Sequence, residues 1–286
     1  MRVLITGAGG QLGHDLLRAF TGHEVVGTTH GQLDVADRDA VLATITELRP
    51  DAVVHAGAWT DVDGCETDPD RAFRVNALGT RHVVEGARLA GARVCYLSTD
   101  YVFDGTGDRP WVEWDAPAPL SVYGRSKLGG ERELDAGATV VRTSWVCGAH
   151  GRNFVKTILR AAAERDELTV VDDQRGCPTF TSDLAGAIAR LVVARRPGTF
   201  HVTNQGATTW FDFARAIVAV AGFDAAKVRP IATADLHPPR PAPRPANSVL
   251  DNAALRLSGI PLLPDWHEPL DRLLKEGREG VVTPDN

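Results

Sequence analysis

The segment Thr6-Gly-Ala-Gly-Gly-Gln-Leu-Gly13 follows directly on the apolar run Val3-Leu4-Ile5 and leads into a helix with apolar positions Leu12, Leu16, Leu17 and Phe20. A buried strand that turns through three spaced glycines straight into a helix narrows the fold more than any other stretch of the chain. Gly7 suits the tight turn, Gly10 a close approach of backbone to a pyrophosphate, and Gly13 close packing of the helix. Phosphates at such a turn sit on the helix N-terminus, where free amides and the macrodipole favour negative charge. Gln11 and Leu12 open that helix and join Gly7 and Gly10 as expected dinucleotide contacts.

The second strand, Glu24 to Thr28, ends without the acidic residue that commonly binds the ribose of NAD. Asp34 in Leu33-Asp34-Val35 comes later and suits a contact on the adenine side. Lack of a carboxylate at the strand end removes repulsion against a 2′-phosphate, which favours NADPH and leaves NADH open. A helix from Asp37 to Leu48 leads to a third strand that ends in Ala56-Gly57-Ala58, small residues that let a dinucleotide lie across it. Asp61 to Arg93 reads as mostly helical. Asn76 falls inside it, and Asn disfavours helix interiors. It is expected at a kink near Lys127, with an exposed surface position as the alternative.

Val94-Cys95-Tyr96-Leu97 reads as a fully buried parallel strand closing on Ser98-Thr99-Asp100-Tyr101. Hydroxyls at the carboxyl end of such a strand face the crevice where open α/β sheets bind ligands. Some twenty residues on, Tyr123 and Lys127 stand one helical turn apart and share a face. An ammonium beside a phenol stabilises the phenolate and lowers its pKa from about 10, making the tyrosine a usable proton donor. Thr99 can steady a carbonyl oxygen while Tyr123 protonates it. This stretch reads as a site for carbonyl reduction or alcohol oxidation.

Val140 to Val146 reads as another strand with a decorated end, carrying Trp145. Asn153 is placed to cap a helix from Phe154 to Glu164, whose N-terminus is a second candidate anion site. His237 to Pro245 holds too many prolines for helix or central strand and reads either as a stiff loop presenting Arg240 and Arg244 or as a solvated linker. Strand and helix alternate through about the first 145 residues. The expected fold is α/β: a Rossmann-like, doubly wound parallel sheet with a smaller α/β substrate-binding lobe. Residues 1–146 and 181–204 are assigned to the dinucleotide domain, and 147–180 and 205–286 to the smaller lobe.

Composition mainly excludes. A net charge of −6 without a basic block argues against nucleic acid as a partner. No apolar run approaches the ~20 residues that span a bilayer, so no membrane association is expected. Cys65, Cys95, Cys147 and Cys177 lie at least thirty residues apart, which fits free thiols in a reducing cytoplasm better than a zinc knuckle or a redox pair. The nine histidines show no metal-ligand spacing, and no metal is expected.

With these residues in place the chain resembles the extended short-chain dehydrogenase/reductases. Within them it is similar to the dTDP-4-dehydrorhamnose reductase family. The resemblance rests on Gly7-x-x-Gly10-x-x-Gly13, Ala58-Trp59-Thr60-Asp61-Val62-Asp63, the Ser98 to Gly105 block and Tyr123-x-x-x-Lys127. Arg142-Thr-Ser-Trp145, Asn153-Phe154, Asp173-Gln174-x-Gly176-x-Pro178-Thr179 and Arg244-Pro-x-Asn-Ser248 extend it into the second half. It implies that Thr99, Tyr123 and Lys127 form the catalytic trio. It also implies cofactor contacts from Gly7, Gly10, Gln11, Leu12, Asp34, Val35, Ala56, Gly57, Ala58, Thr60, Asn76, Tyr123 and Lys127. A dTDP-sugar would meet Val62, Ser98, Asp100, Tyr101, Trp145, Asn153, Phe154 and Arg244. NADPH would deliver hydride to C4 of a 4-keto sugar, in a monomer or a homodimer. His55, Gly57, Trp59 and Arg175 depart from the family's usual residues. Relatives bridged by magnesium use several carboxylates; here Asp15 is one candidate, but Ser182 stands where another is expected. The rivals are a nucleotide-sugar epimerase, another deoxysugar ketoreductase, and a non-catalytic partner like the regulatory subunit of methionine adenosyltransferase.

Overall fold

Val3, Leu4 and Ile5 are fully buried because their strand lies inside a sheet covered on both faces. The computed structural model describes residues 1–279; the last seven residues of the assigned smaller lobe, 280–286, lie outside them. Five strands, β1 (Arg2–Thr6), β2 (Glu24–Thr28), β3 (Ala52–His55), β4 (Arg93–Thr99) and β5 (Thr139–Thr143), join an edge strand, Gly198–His201. The six lie in the order edge, β5, β4, β3, β1, β2, and every pair is parallel. The chain leaves β1 toward β2 on one side and returns to β3 on the other. That reversal opens a crevice at the carboxyl ends of β1 and β3.

Helices α1 (Gln11–Ala19), α2 (Arg38–Leu48), α3 (Val62–Thr67), α4 (Pro69–Phe73), α5 (Gly79–Ala90) and α6 (Val122–Glu131) supply the crossovers of the first half. Asp37 caps α2 through Ala40 N, and Arg49 ends it in the left-handed region. Later come α7 (Phe154–Glu164), α8 (Thr181–Val193) and α9 (Trp210–Val220). One sheet face is packed by Leu16 of α1 and Phe20 at its C-cap with Leu184, Ile188 and Leu191 of α8. The other is packed by Val41 and Ile45 of α2 with Val83 and Val84 of α5. The smaller lobe has its own core, in which Val155 and Ile158 of α7 meet Phe213, Ile217 and Val218 of α9 and Trp266. Leu255 and Leu263 return to the core of the large sheet.

Two expected elements are broken where the site lies. The helix expected between Asp61 and Arg93 is interrupted by a π-helical turn, Arg74–Leu78, that contains Asn76. The strand expected from Val140 to Val146 stops at Thr143. Trp145 adopts φ 47°, which turns the chain, and Val146–Cys147 then pairs with Thr179–Phe180 in a separate ladder.

Candidate active site

The nucleotide side of the crevice is built of main chain. Gly7 has φ 74°, and a Cβ there would stand 2.7 Å from the Gly57 nitrogen, so only glycine lets the turn lie against the end of β3. Helix α1 starts at Gly10 without a side-chain cap, which leaves its first amides facing outward. A cleft of about 470 Å³ opens there, lined by Gly7, Gly9, Gly10, Thr29, His30, Gly31, Leu33, Val35, Ala56, Gly57, Ala58 and Val75. No carboxylate lines it. Gln11 Oε1 is buried beside the turn with no partner among the described residues. A glycine cradle, open helix amides and an unpaired buried acceptor fit a dinucleotide.

The expected cofactor contacts do not all line this cleft. Leu12 packs into the sheet core. Asp34 sits outside: its Oδ1 accepts from Ala36 N at 3.0 Å and lies 3.9 Å from His30 Nδ1, so it braces its own loop. Thr60 is exposed on the loop before α3. Asn76 is buried and spends its amide on the scaffold. Its Oδ1 accepts from Trp59 N at 2.8 Å, and its Nδ2 donates to Trp59 O and to Ser126 Oγ. It positions the strand-end loop against α6 rather than reaching toward the cleft.

The reaction centre is built of side chains bonded to one another. Ser121 caps α6, its Oγ accepting from Gly124 N. A Cβ at Gly124 would fall 2.2 Å from Tyr101 O, so α6 rests on the backbone of the turn after β4. That contact sets Tyr123 against the turn that carries Thr99, Asp100 and Tyr101. The Tyr101 ring meets the Tyr123 ring edge-on, with centroids 5.9 Å apart. Thr99 Oγ1 also donates to Asp100 Oδ1 at 2.8 Å and accepts from Tyr101 N.

Lys127 is buried, donates from Nζ to Leu97 O at 2.6 Å, and lies 4.2 Å over the Tyr96 ring. Burial pulls its pKa down to about 7, against a smaller upward pull from Glu131. The expectation that this ammonium lowers the Tyr123 pKa is not met in this geometry. Burial and then the Asp100 charge push the phenol above its ordinary value, and the nearby Thr99 hydroxyl offsets this only in part. Tyr96 ties the assembly together, its hydroxyl donating to Lys127 O at 3.2 Å. His55 stands next to Tyr96 across the sheet and bonds Thr6 Oγ1 at 2.7 Å; burial, then Lys127, depresses its pKa to about 3.

Several expected sugar contacts have other duties. Ser98 donates to Glu131 Oε1 at 2.5 Å, joining the Arg142–Glu131 ion pair whose side chains are 6% and 9% exposed. Asn153 does cap α7 through Lys156 N, but its Nδ2 donates to Gly148 O, so the whole amide is spent on local structure. Phe154 stacks on Phe213 and meets Trp210 at a tilt in the core of the smaller lobe. Trp145 stands off the strand end with Trp210 stacked on it at 3.5 Å, so one of its faces is covered. Arg244 is not held out by a stiff loop. It makes a paired contact to Asp63 at 2.7 and 2.8 Å and also donates to Ala242 O at 2.7 Å. Asp63, the second residue of α3 after the half-buried Val62, also accepts from Ala242 N and thus fastens the proline loop. Arg240 on that loop is 56% exposed.

Sequence reasoning missed Glu131, Tyr96 and Asp63 as supports. Glu131 follows Lys127 by one turn and was visible as spacing, whereas the partners of Tyr96 and Asp63 are set by the fold. The later blocks meet at Arg175. Arg175 N donates to Ala246 O and Ser248 N to Arg175 O, both at 2.8 Å, and Ser248 Oγ donates to Arg175 O at 3.3 Å. Among the described residues no group of three His, Cys, Asp or Glu is placed to hold a metal, and no helix is long and apolar enough to cross a membrane.

A family model described as the RmlD substrate binding domain matches residues 1–279. The chain belongs to this family. It is 43% identical over 297 residues to a dTDP-4-dehydrorhamnose reductase of Streptomyces griseus, covering 99% of this chain and 97% of that one. It is 42% identical to a probable dTDP-4,6-dihydroxy-2-methyloxan-3-one 4-ketoreductase of Streptomyces antibioticus, covering 94% and 93%. A crystal structure of dTDP-4-dehydrorhamnose reductase from Bacillus anthracis in complex with NADP superposes with TM-score 0.92 at 38% identity, covering 96% and 99%. The RmlD-family fold therefore extends over both the sheet and the smaller lobe.

Proposed function

We propose that the protein reduces the C4 ketone of dTDP-4-dehydro-L-rhamnose to the alcohol, using NADPH. One observation carries the reading: Tyr123 on α6 packs against the Thr99-Asp100-Tyr101 turn at the carboxyl end of β4, while a glycine-built dinucleotide cleft opens at the ends of β1 and β3. Near-complete alignment with dTDP-4-dehydrorhamnose reductases supports the substrate class.

Gly7, Gly10 and the first amides of α1 would hold the pyrophosphate, and Ala56 to Ala58 would lie under it. NADPH, when bound, supplies the hydride. Thr99 steadies the ketone oxygen, and Tyr123 gives it a proton as the oxygen becomes an alkoxide. Lys127 holds positive charge under the same point and is placed to meet the nicotinamide ribose. Arg240 is the accessible cation for the sugar-nucleotide diphosphate, while Arg244 and Asp63 fix the loop that carries it. Four buried free cysteines fit a reducing cytoplasm.

The test is spectrophotometric: stoichiometric NADPH oxidation with dTDP-4-dehydro-L-rhamnose. Recycling of a tightly bound NAD without net oxidation would instead identify an epimerase. NADPH should exceed NADH in kcat/KM by a modest factor, because the cleft lacks both a repelling carboxylate and a buried arginine. Similarity to the Streptomyces antibioticus ketoreductase favours a second reading, the same chemistry on a different dTDP-linked 4-keto-6-deoxyhexose. Comparing the two sugars in that assay separates them.

A further inference from the structure

We infer that a second cavity, at the other end of α1 from the nucleotide cleft, binds a small organic anion with an apolar body. This goes beyond the reductase reading and does not depend on it.

The cavity has a volume of about 700 Å³ and lies where the C-terminal ends of α1 and α8 meet the turn 258–261. That volume falls within the roughly 300–1,000 Å³ of small-molecule sites. Helix α1 is nine residues long, so about 13 Å separates this end from the Gly10 end that faces the cleft. The floor is apolar. Phe20, Ala189 and Leu191 are buried there, and Ile260 packs on the same core.

Gly186 lies inside α8, where glycine costs stability against alanine. No close packing demands it. A Cβ there would meet only Arg190 Nη1, at 3.6 Å, whereas at Gly124 it would collide with main chain. What the missing side chain provides is room in the cavity, and the same distance sets the Arg190 guanidinium one turn back along α8, beside that room.

The polar groups around the floor suit an anion. Arg190 and Arg196 line the cavity with the hydroxyls of Thr21 and Ser258. All four are exposed and make no ion pair or side-chain hydrogen bond among the described residues. No carboxylate lines the cavity, although acidic residues outnumber lysine and arginine 37 to 31 along the chain. Helix C-termini oppose an anion, but the last carbonyls of α8 are already taken. Leu191 O accepts from Arg196 N, and Val192 O accepts from Arg195 N. Guanidinium groups pair with carboxylate or phosphate oxygens. Two of them above an apolar floor therefore match a ligand with one anionic end.

The probe is 8-anilino-1-naphthalenesulfonate, an apolar body whose sulfonate stands in for the anionic group, titrated by fluorescence. One saturable site per chain is expected. N-phenyl-1-naphthylamine, the same body without the sulfonate, should bind about tenfold more weakly or worse. Arg190→Ala combined with Arg196→Ala should bring the two probes within about threefold of each other. Gly186→Leu fills the cavity and should abolish sulfonate binding while Tm and far-ultraviolet circular dichroism stay near wild type. Equal binding of both probes by the wild type overturns the proposal, since the guanidiniums then contribute nothing. Binding that a folded Gly186→Leu leaves intact lies elsewhere and overturns it as well. If Gly186→Leu fails to fold, a sulfonate preference that survives the double arginine variant overturns it instead. Binding that declines as protein concentration rises means that a second copy of the chain covers this face, which also overturns it.

Discussion

Helices α1 and α7 both looked like anion sites in the sequence, yet the structure treats their N-termini differently. At α1 the capping position is Gly10 and no side chain reaches the first amides. At α7 Asn153 fills that place and is itself anchored to Gly148 O. The contrast extends to the regions around them. The nucleotide cleft is made of glycines and backbone, whereas the reaction centre and the smaller lobe are made of side chains that satisfy one another. A ligand that must touch main chain needs side chains kept out of its way. A proton path needs them locked in.

The sharpest way to break this comparison is at Tyr123. Tyr123→Phe should cut turnover by ~10²-fold or more, the scale of a general acid, while NADPH affinity, set by the α1 backbone, stays near wild type. Fluorescence titration of NADPH with single-turnover kinetics checks both. A comparable loss of affinity would mean that the two regions are not separable.

The buried support should be next in size. Arg142→Met leaves Glu131 unpaired behind Lys127 and Ser98, and should cost about 3–5 kcal/mol in urea denaturation. The pair Glu131→Leu with Arg142→Met should recover most of that loss, since the penalty belongs to the orphaned charge.

Lys127 sets a pH-dependent version of the same test. Its folded pKa of about 7 lies below the ordinary lysine value of 10.5, so the unfolded chain binds more protons between those values, and stability rises with pH across that window. Lys127→Met should abolish turnover and raise Tm at pH 6.5, with the gap closing as pH approaches 10. An equal gap at both ends would assign the effect to packing rather than to charge.

The smallest effect is expected at the cap. Asn153→Ala should cost about 1 kcal/mol of stability and leave KM for the dTDP-sugar nearly unchanged. A large rise in KM with little change in Tm would return Asn153 to the substrate side.

What was legible follows the same division. Gly7, the run Val3 to Ile5 and the end of β2 could be read because backbone conformation and burial leave local signatures. Tyr123 and Lys127 could be paired because a helix fixes their spacing. The partners of Arg244, Ser98 and Phe154 could not, because each depends on which distant segment the fold sets beside it. Asp63, Glu131 and Trp210 lie 181, 33 and 56 residues away from them in sequence. Asn76 shows the limit well: its unsuitability for a helix was visible, but the π-turn that uses it was not.

The seat of α6 on Tyr101 has a consequence for how such a chain can diversify. Because Gly124 meets the carbonyl of Tyr101 and not its ring, the spacing of Tyr123 and Thr99 is inherited from main-chain geometry. A change of side chain at position 101 leaves that seat in place, whereas any side chain at position 124 would prise the reacting pair apart before selection could act on the result.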